Sequence, residues 1–226
     1  MNPLQSLLRR MGFELSCTPS AVDFLTSRHV ELVLDVGANK GQYARGLRAQ
    51  GYQGRIHSFE PIIAVYAQLT RAAAGDPLWT TTNCAVGAFA GSADINVSDS
   101  TVYSSIRSAP PMSAAFSRKS AVVRIETVPV VTLDSQVEGA SGPVFLKIDT
   151  QGFEREVLLG AGALMSRIVG LQLELPVEHL YQGVWSFNEA FVDSLGFAPA
   201  QFRMVNALHD DAASGNEFYC IFRCKR

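Results

Sequence analysis

The chain has 226 residues, a length that suits one domain with small additions and allows roughly 70–75% of the unfolded surface to be buried. Hydrophobic residues make up 47% and charged residues 18%, which excludes a disordered tail. Nineteen basic residues stand against 21 acidic ones, so a strongly basic nucleic-acid binder is not the default reading, and no apolar run approaches the ~20 residues of a membrane span.

Residues 1–28 form an N-terminal helical segment. Leu4, Leu7, Leu8 and Met11 have helical spacing, but Arg9 and Arg10 cut the run too short for a secretion signal. The expectation is a small amphipathic helix packed on the body, with a homodimer contact, a lid or a membrane-surface foot as sharper alternatives. Cys17, Cys84, Cys220 and Cys224 show neither a C-x-x-C pair nor zinc spacing and are read as reduced thiols of a cytoplasmic protein.

The apolar run ELVLDVG (31–37) reads as a strand opening into a glycine turn, with a helix over 40–50 stopped by Gly51. A second strand follows at 55–60, ended by Pro61, then a helix at 62–74 and a β-rich stretch at 79–86. This β-α-β-α-β rhythm implies a parallel sheet with helices on its faces. Strands at 93–97 and 122–131 flank a serine-rich loop, 98–120, long enough to be a substrate cover. The rhythm resumes with a buried strand at 144–149, a helix at 153–165, a strand at 169–175 and a helix at 188–195 closed by Gly196. Two last β runs, 201–208 and 217–224, read as an antiparallel hairpin. The whole chain, 1–226, is expected to be a single α/β domain of about seven strands.

Ligands in such sheets bind outside the carboxyl ends of the strands, and acids concentrate there. The first loop carries Asp35, Gly37, Ala38, Asn39 and Gly41, with Gln42 and Tyr43 opening the helix. Asn39 takes the place of the middle glycine of a dinucleotide loop, and a carboxylate at Asp35 suits a cation better than a phosphate. Close backbone approach to a positive, phosphate-free ligand fits S-adenosylmethionine. Glu60, 23 residues after Gly37, ends the second strand, where an acid accepts from both ribose hydroxyls. Asn83 and Ala85 are placed along the adenine edge.

The segments VLDVGANKGQYA (33–44), HSFEP (57–61), NCAVG (83–87), TLDS (132–135), FLKIDTQGFEREVLLGA (145–161) and LQLEL (171–175) together resemble the FkbM family of class I S-adenosylmethionine-dependent methyltransferases. Two residues depart from that pattern: Lys40 in the glycine loop, and Gln151 where Glu is commoner. The resemblance implies a Rossmann-like seven-stranded, mostly parallel sheet in the order 3-2-1-4-5-7-6, last strand antiparallel. It also implies O-methylation of a hydroxyl on a sugar, glycan, glycolipid or polyketide-type molecule.

The hydroxyl's proton needs a base within hydrogen-bond reach. His179 is the only histidine on a loop at the active rim; His29 lies at the wrong edge, His57 inside a strand, and His209 in the last hairpin. Asp149 and Glu174, closing neighbouring strands, are the rivals. They could alternatively hold Mg²⁺, with Asp134 as a third ligand, or Asp149 could touch the cofactor. Lys147, a charge inside a buried strand, is expected to reach a rim carboxylate. Tyr103, Ser104, Ser105 and Arg107 on the long loop, with Tyr181 and Trp185, are candidate acceptor contacts. The competing readings are a non-catalytic scaffold of the same fold and a nucleotide-dependent oxidoreductase; Asp35 and Asn39 speak against the second. Nucleic-acid methylation is disfavoured by the near-neutral charge and because the stretch Asp149-Thr150-Gln151-Gly152 offers no aromatic platform for a flipped base.

Overall fold

The computed structural model describes residues 7, 10–12, 19–98, 104–106, 121–137, 141–176, 195–204 and 217–225. In chain order these form α1 (Ala21–Ser27), β1 (Leu32–Val36), α2 (Gln42–Ala49), β2 (Arg55–Phe59), α3 (Ile63–Ala73), β3 (Trp79–Thr82), β4 (Ala85–Val86), β5 (Gly91–Ser98) and β6 (Val122–Val131). They continue with a 3-10 turn (Leu133–Gln136), β7 (Val144–Ile148), α4 (Glu154–Leu159), a second 3-10 segment (Gly162–Arg167), β8 (Ile168–Pro176), β9 (Phe197–Met204) and β10 (Glu217–Cys224).

Seven strands make one sheet in the order β3-β2-β1-β7-β8-β10-β9, while β4, β6 and β5 form a small second sheet. With those three set aside, the order is the expected 3-2-1-4-5-7-6. Within the large sheet β10 alone is antiparallel to its neighbours β8 and β9. Strand order reverses between β1 and β7, which places a crevice at their carboxyl ends.

β1 and β7 are central, and all five residues of each are buried. That is why both read as apolar runs broken by a single charge, Asp35 in one and Lys147 in the other. Their side chains alternate between two cores. Leu32, Leu34, Val36, Leu146 and Ile148 join Val157 and Leu158 of α4 on one face. Val33 and Phe145 join Phe24, Leu25 and Leu47 from α1 and α2 on the other. Ser20 and Asp23 build a capping box that starts α1. Gly170 lets α1 lie close: a Cβ there would meet the Phe24 ring at 2.4 Å. Phe24 stacks edge-on against Phe145, centroids 5.6 Å apart. A third cluster, including Ile62, Val65, Ile95 and Val128, ties the small sheet to α3.

Three expected elements are corrected. The β-rich stretch 79–86 is two strands in two different sheets, because Asn83 turns the chain between them. The helix expected over 153–165 ends at Leu159: Gly162 has φ +39, and the Asp134 carboxylate accepts the N–H groups of Ala163 and Leu164. β9 starts at Phe197 rather than 201, and tolerates Pro199 because it is an edge strand with an irregular register opposite Ile221 and Phe222. The helix expected at 188–195 lies outside the described residues apart from Leu195, which is in a turn, as does most of the leading segment. Leu7 and Met11 of that segment are exposed.

Candidate active site

The loop after β1 is shaped by three left-handed residues, Gly37 (φ 72), Asn39 (φ 49) and Gly41 (φ 79). A Cβ on Gly37 would meet the Asp149 carbonyl oxygen at 1.9 Å, and one on Gly41 would meet the Trp79 ring at 2.8 Å. Asn39 needs no glycine: asparagine is among the side chains that adopt this backbone region most readily. The chain therefore keeps the turn of a glycine-rich loop with one glycine fewer. The Asn39 side-chain oxygen is buried and has no hydrogen-bond partner, so the loop presents an unused acceptor.

Glu60, just beyond β2, is 5% exposed. Its carboxylate accepts the Asn39 N–H at 2.9 Å and the Ile62 N–H at 3.0 Å, which fastens it to the glycine loop. Burial pushes its pKa up to about 7, although both amides and the Lys147 charge pull the other way. Asn83 donates to the carbonyls of Glu60 and Pro61 at 2.8 and 2.9 Å. Its amide thus holds the turn that carries Glu60, and the wall expected from Asn83 is provided by Cys84, Ala85 and Val86.

A polar row crosses the centre of the sheet on the α2 side. Ser58, Asp35, Lys147 and Gln172 are register partners on β2, β1, β7 and β8. Ser58 donates to Asp35 at 3.3 Å, and Lys147 Nζ lies 3.0 Å from Asp35 Oδ1. The Tyr43 hydroxyl donates to Gln172 at 3.0 Å. Burial opposes the Lys147 charge, but Asp35 and Asp149 outweigh it and hold the ammonium above the ordinary lysine range. Lys147 also donates to Gly37 O at 3.0 Å and lies 3.7 Å from Asp149. The expected reach of Lys147 to a rim carboxylate is thus made to Asp149, beside its closer partner Asp35. Asp35 itself is fully buried beneath the loop, so its charge meets the crevice through Lys147 rather than by direct contact.

The turn after β7 is organised by Glu154. One carboxylate oxygen accepts the N–H groups of Thr150 and Gly152 and the Thr150 hydroxyl, at 3.0–3.2 Å. Gln151 (φ 53) and Gly152 (φ 109) complete the bend, and the Gln151 amide donates to Asp149. The Ser105 hydroxyl donates to the Gln151 carbonyl at 2.6 Å, and Ser105 pairs with Asn96 of β5. The Ser104 hydroxyl accepts the Ser98 N–H. Both serines expected to meet the acceptor are thus used to hold their own segment, Ser105 to this turn and Ser104 to the end of β5, and of the two only Ser104 lines the crevice.

These elements surround a crevice of about 1080 Å³. Of the expected cofactor residues, Gly37, Ala38, Asn39, Gln42, Tyr43, Glu60, Ala85 and Asp149 line it, and so does Glu174. Asp35, Gly41 and Asn83 support it from behind. His179, Tyr181, Trp185 and Tyr103 lie outside the described residues. His57 is internal, stacked on Phe59 and bonded to Thr82. Lys147, Gln172 and Cys84 line the crevice and were not picked as site residues from sequence. The signal for Lys147 was its charge in a buried run; nothing local marks Gln172 or Cys84.

The described residues do not fit a metal. No group of three or more His, Cys, Asp or Glu stands together among the described residues, and the cation beside Asp149 is already Lys147. Asp134 is occupied in starting the second 3-10 segment. The donor set does suit a phosphate-free cation with a ribose: a left-handed loop open to close approach, a free amide oxygen, and an acid at the end of β2.

Residues 35–198 match the methyltransferase FkbM domain model. Among solved structures the chain is similar to the methyltransferase FkbM from Methylobacillus flagellatus KT (18% identity, TM-score 0.50), over 84% of this chain and 43% of that one. It is similar also to an rRNA methylase from Streptococcus thermophilus (9% identity, TM-score 0.50), over 93% of this chain and 100% of that one. At these identities the likeness is one of fold. The chain spans less than half of the Methylobacillus protein. No curated protein matches it.

Proposed function

This chain belongs to the methyltransferase FkbM domain family, and on that premise we propose that it moves a methyl group from S-adenosylmethionine to a hydroxyl of a sugar, glycan, glycolipid or polyketide-type molecule. The observation that carries the reading is the joining of Glu60 to the glycine loop through the Asn39 N–H at 2.9 Å. It puts an acid for ribose hydroxyls and a loop for close approach on one crevice wall.

When bound, S-adenosylmethionine supplies a methyl group on a sulfonium. Glu60 would take the ribose, Cys84, Ala85 and Val86 would line the adenine side, and Gly37, Ala38 and Asn39 would hold the methionine end. The protein's contribution is chiefly to hold both reactants in line, worth roughly 7–11 kcal/mol. The acceptor oxygen forms its bond to carbon as the sulfur–carbon bond breaks, and the hydroxyl proton passes to a base. His179 is our choice for that base, with Glu174 and Asp149 as the rivals. Mg²⁺ has no part in this account. The buried free thiols of Cys84 and Cys220 favour the cytoplasm as its setting.

The test is transfer of labelled methyl from S-adenosylmethionine to a panel of glycans, glycolipids and polyketide alcohols, read by the NMR signal of the product's methyl group. An O-methyl product is expected; an N- or C-methyl product would redirect the assignment.

A further inference from the structure

Three cleft residues stand in one register row on the half of the sheet away from Glu60. Glu174 on β8 is opposite Tyr219 on β10, which is opposite Arg203 on β9. All three line the crevice. Gln172, Ile221 and Gln201 form the row behind them, and these also line it. Adjacent strands are about 4.8 Å apart, so the backbones of Glu174 and Arg203 stand about 10 Å apart with the Tyr219 ring between them.

The charges along this crevice are ordered. Of the lining acids, Glu60 and Asp149 lie just beyond β2 and β7 and Glu174 lies on β8; the lining cations among the described residues are Lys147 on β7 and Arg203 on the edge strand β9. Lys147 is committed to Asp35, Asp149 and the Gly37 carbonyl. Arg203 is exposed and makes no hydrogen bond or ion pair among the described residues. A guanidinium left open on a binding wall matches a carboxylate or phosphate, which it can grip with two parallel hydrogen bonds. Any anion elsewhere in the crevice would face the three acids.

We propose that Glu174, Tyr219 and Arg203 form the acceptor floor, and that Arg203 selects an acceptor bearing an anionic group, an acidic sugar or a sugar phosphate. Glu174 meets the hydroxyl end, Tyr219 offers a flat face to the ring, and Arg203 takes the anion. This rests on the methyl-transfer reading above.

The test uses the full chain saturated with S-adenosylhomocysteine. Methyl glucuronide, glucose 6-phosphate and neutral methyl glucoside are titrated separately. At least one anionic probe should bind about tenfold more tightly than the neutral one, the effect of one charge-assisted contact, and the better anion tells carboxylate from phosphate. Arg203→Gln should abolish that preference, and Arg203→Lys should restore part of it. Equal binding of all three probes, binding of none, or a preference that survives Arg203→Gln overturns the proposal. Failure of the wild-type chain to bind S-adenosylhomocysteine at all would instead count against the methyl-transfer reading.

Discussion

Asp35 and Lys147 face each other across β1 and β7, the ammonium 3.0 Å from the carboxylate, and the same ammonium holds the Gly37 carbonyl at 3.0 Å. One buried ion pair therefore joins the centre of the sheet to the loop that shapes the crevice. The side chains are 0% and 7% exposed, so neither charge can fall back on water. Removing one partner strands the other, which costs about 3–5 kcal/mol. Lys147→Met should lose that much in urea unfolding. Asp35→Leu combined with Lys147→Met should recover a large part of it. If the double variant were no more stable than the single one, the pair would not be the unit described here.

Gly37 and Gly46 give opposite outcomes for the same change. Gly37→Ala sets a Cβ 1.9 Å from the Asp149 carbonyl at φ +72 and should cost more than about 2 kcal/mol, with loss of cofactor binding. A Cβ on Gly46, inside α2, meets nothing within 4 Å, so Gly46→Ala should stabilise by about 0.5–1 kcal/mol. Thermal unfolding of both variants checks this.

Glu60 makes the site sensitive to pH near neutrality. Its pKa is raised by burial from 4.5 to about 7, so the ligand-free fold favours the protonated acid. The stability this group contributes is full below pH 4.5 and is lost as pH rises to 7. Ribose hydroxyls are better received by the carboxylate. Affinity for S-adenosylhomocysteine should therefore strengthen from pH 5.5 to 8, by up to about tenfold per pH unit below 7. Glu60→Gln should flatten both profiles, and Glu60→Ala should weaken binding strongly; an unchanged pH profile in Glu60→Gln would assign the dependence to another group.

The choice of base separates binding from turnover. His179→Ala should leave cofactor affinity intact and lower kcat by about 10²–10⁴. Full activity in that variant would move the role to Glu174 or Asp149, to be distinguished with Glu174→Gln and Asp149→Asn.

Most of the sheet was legible because its central strands are buried on both faces, which forces nearly continuous apolar runs such as LVLDV and VFLKI, each with one charge. Their order was not: spacing within the chain cannot say that β7 lies beside β1, and that came from the family resemblance. Pro199 and two alanines hid the start of β9, since an edge strand accepts residues that a central one would not. In the site, strand ends pointed to the right residues but not to their depth. Asp35 shares the inward face of Val33 and is covered by the loop, while Glu60 stands at the crevice wall. The pairing of Asn83 with the Glu60 and Pro61 carbonyls and the grip of Glu154 on the turn before it are contacts that no local pattern reveals.

The most direct measurement is calorimetric titration of the full chain with S-adenosylhomocysteine, once with Mg²⁺ and once with EDTA. The account predicts micromolar binding at one site, with the same affinity in both, because Lys147 already stands beside Asp149. No binding in either condition would contradict it and leave a methyltransferase fold serving as a scaffold.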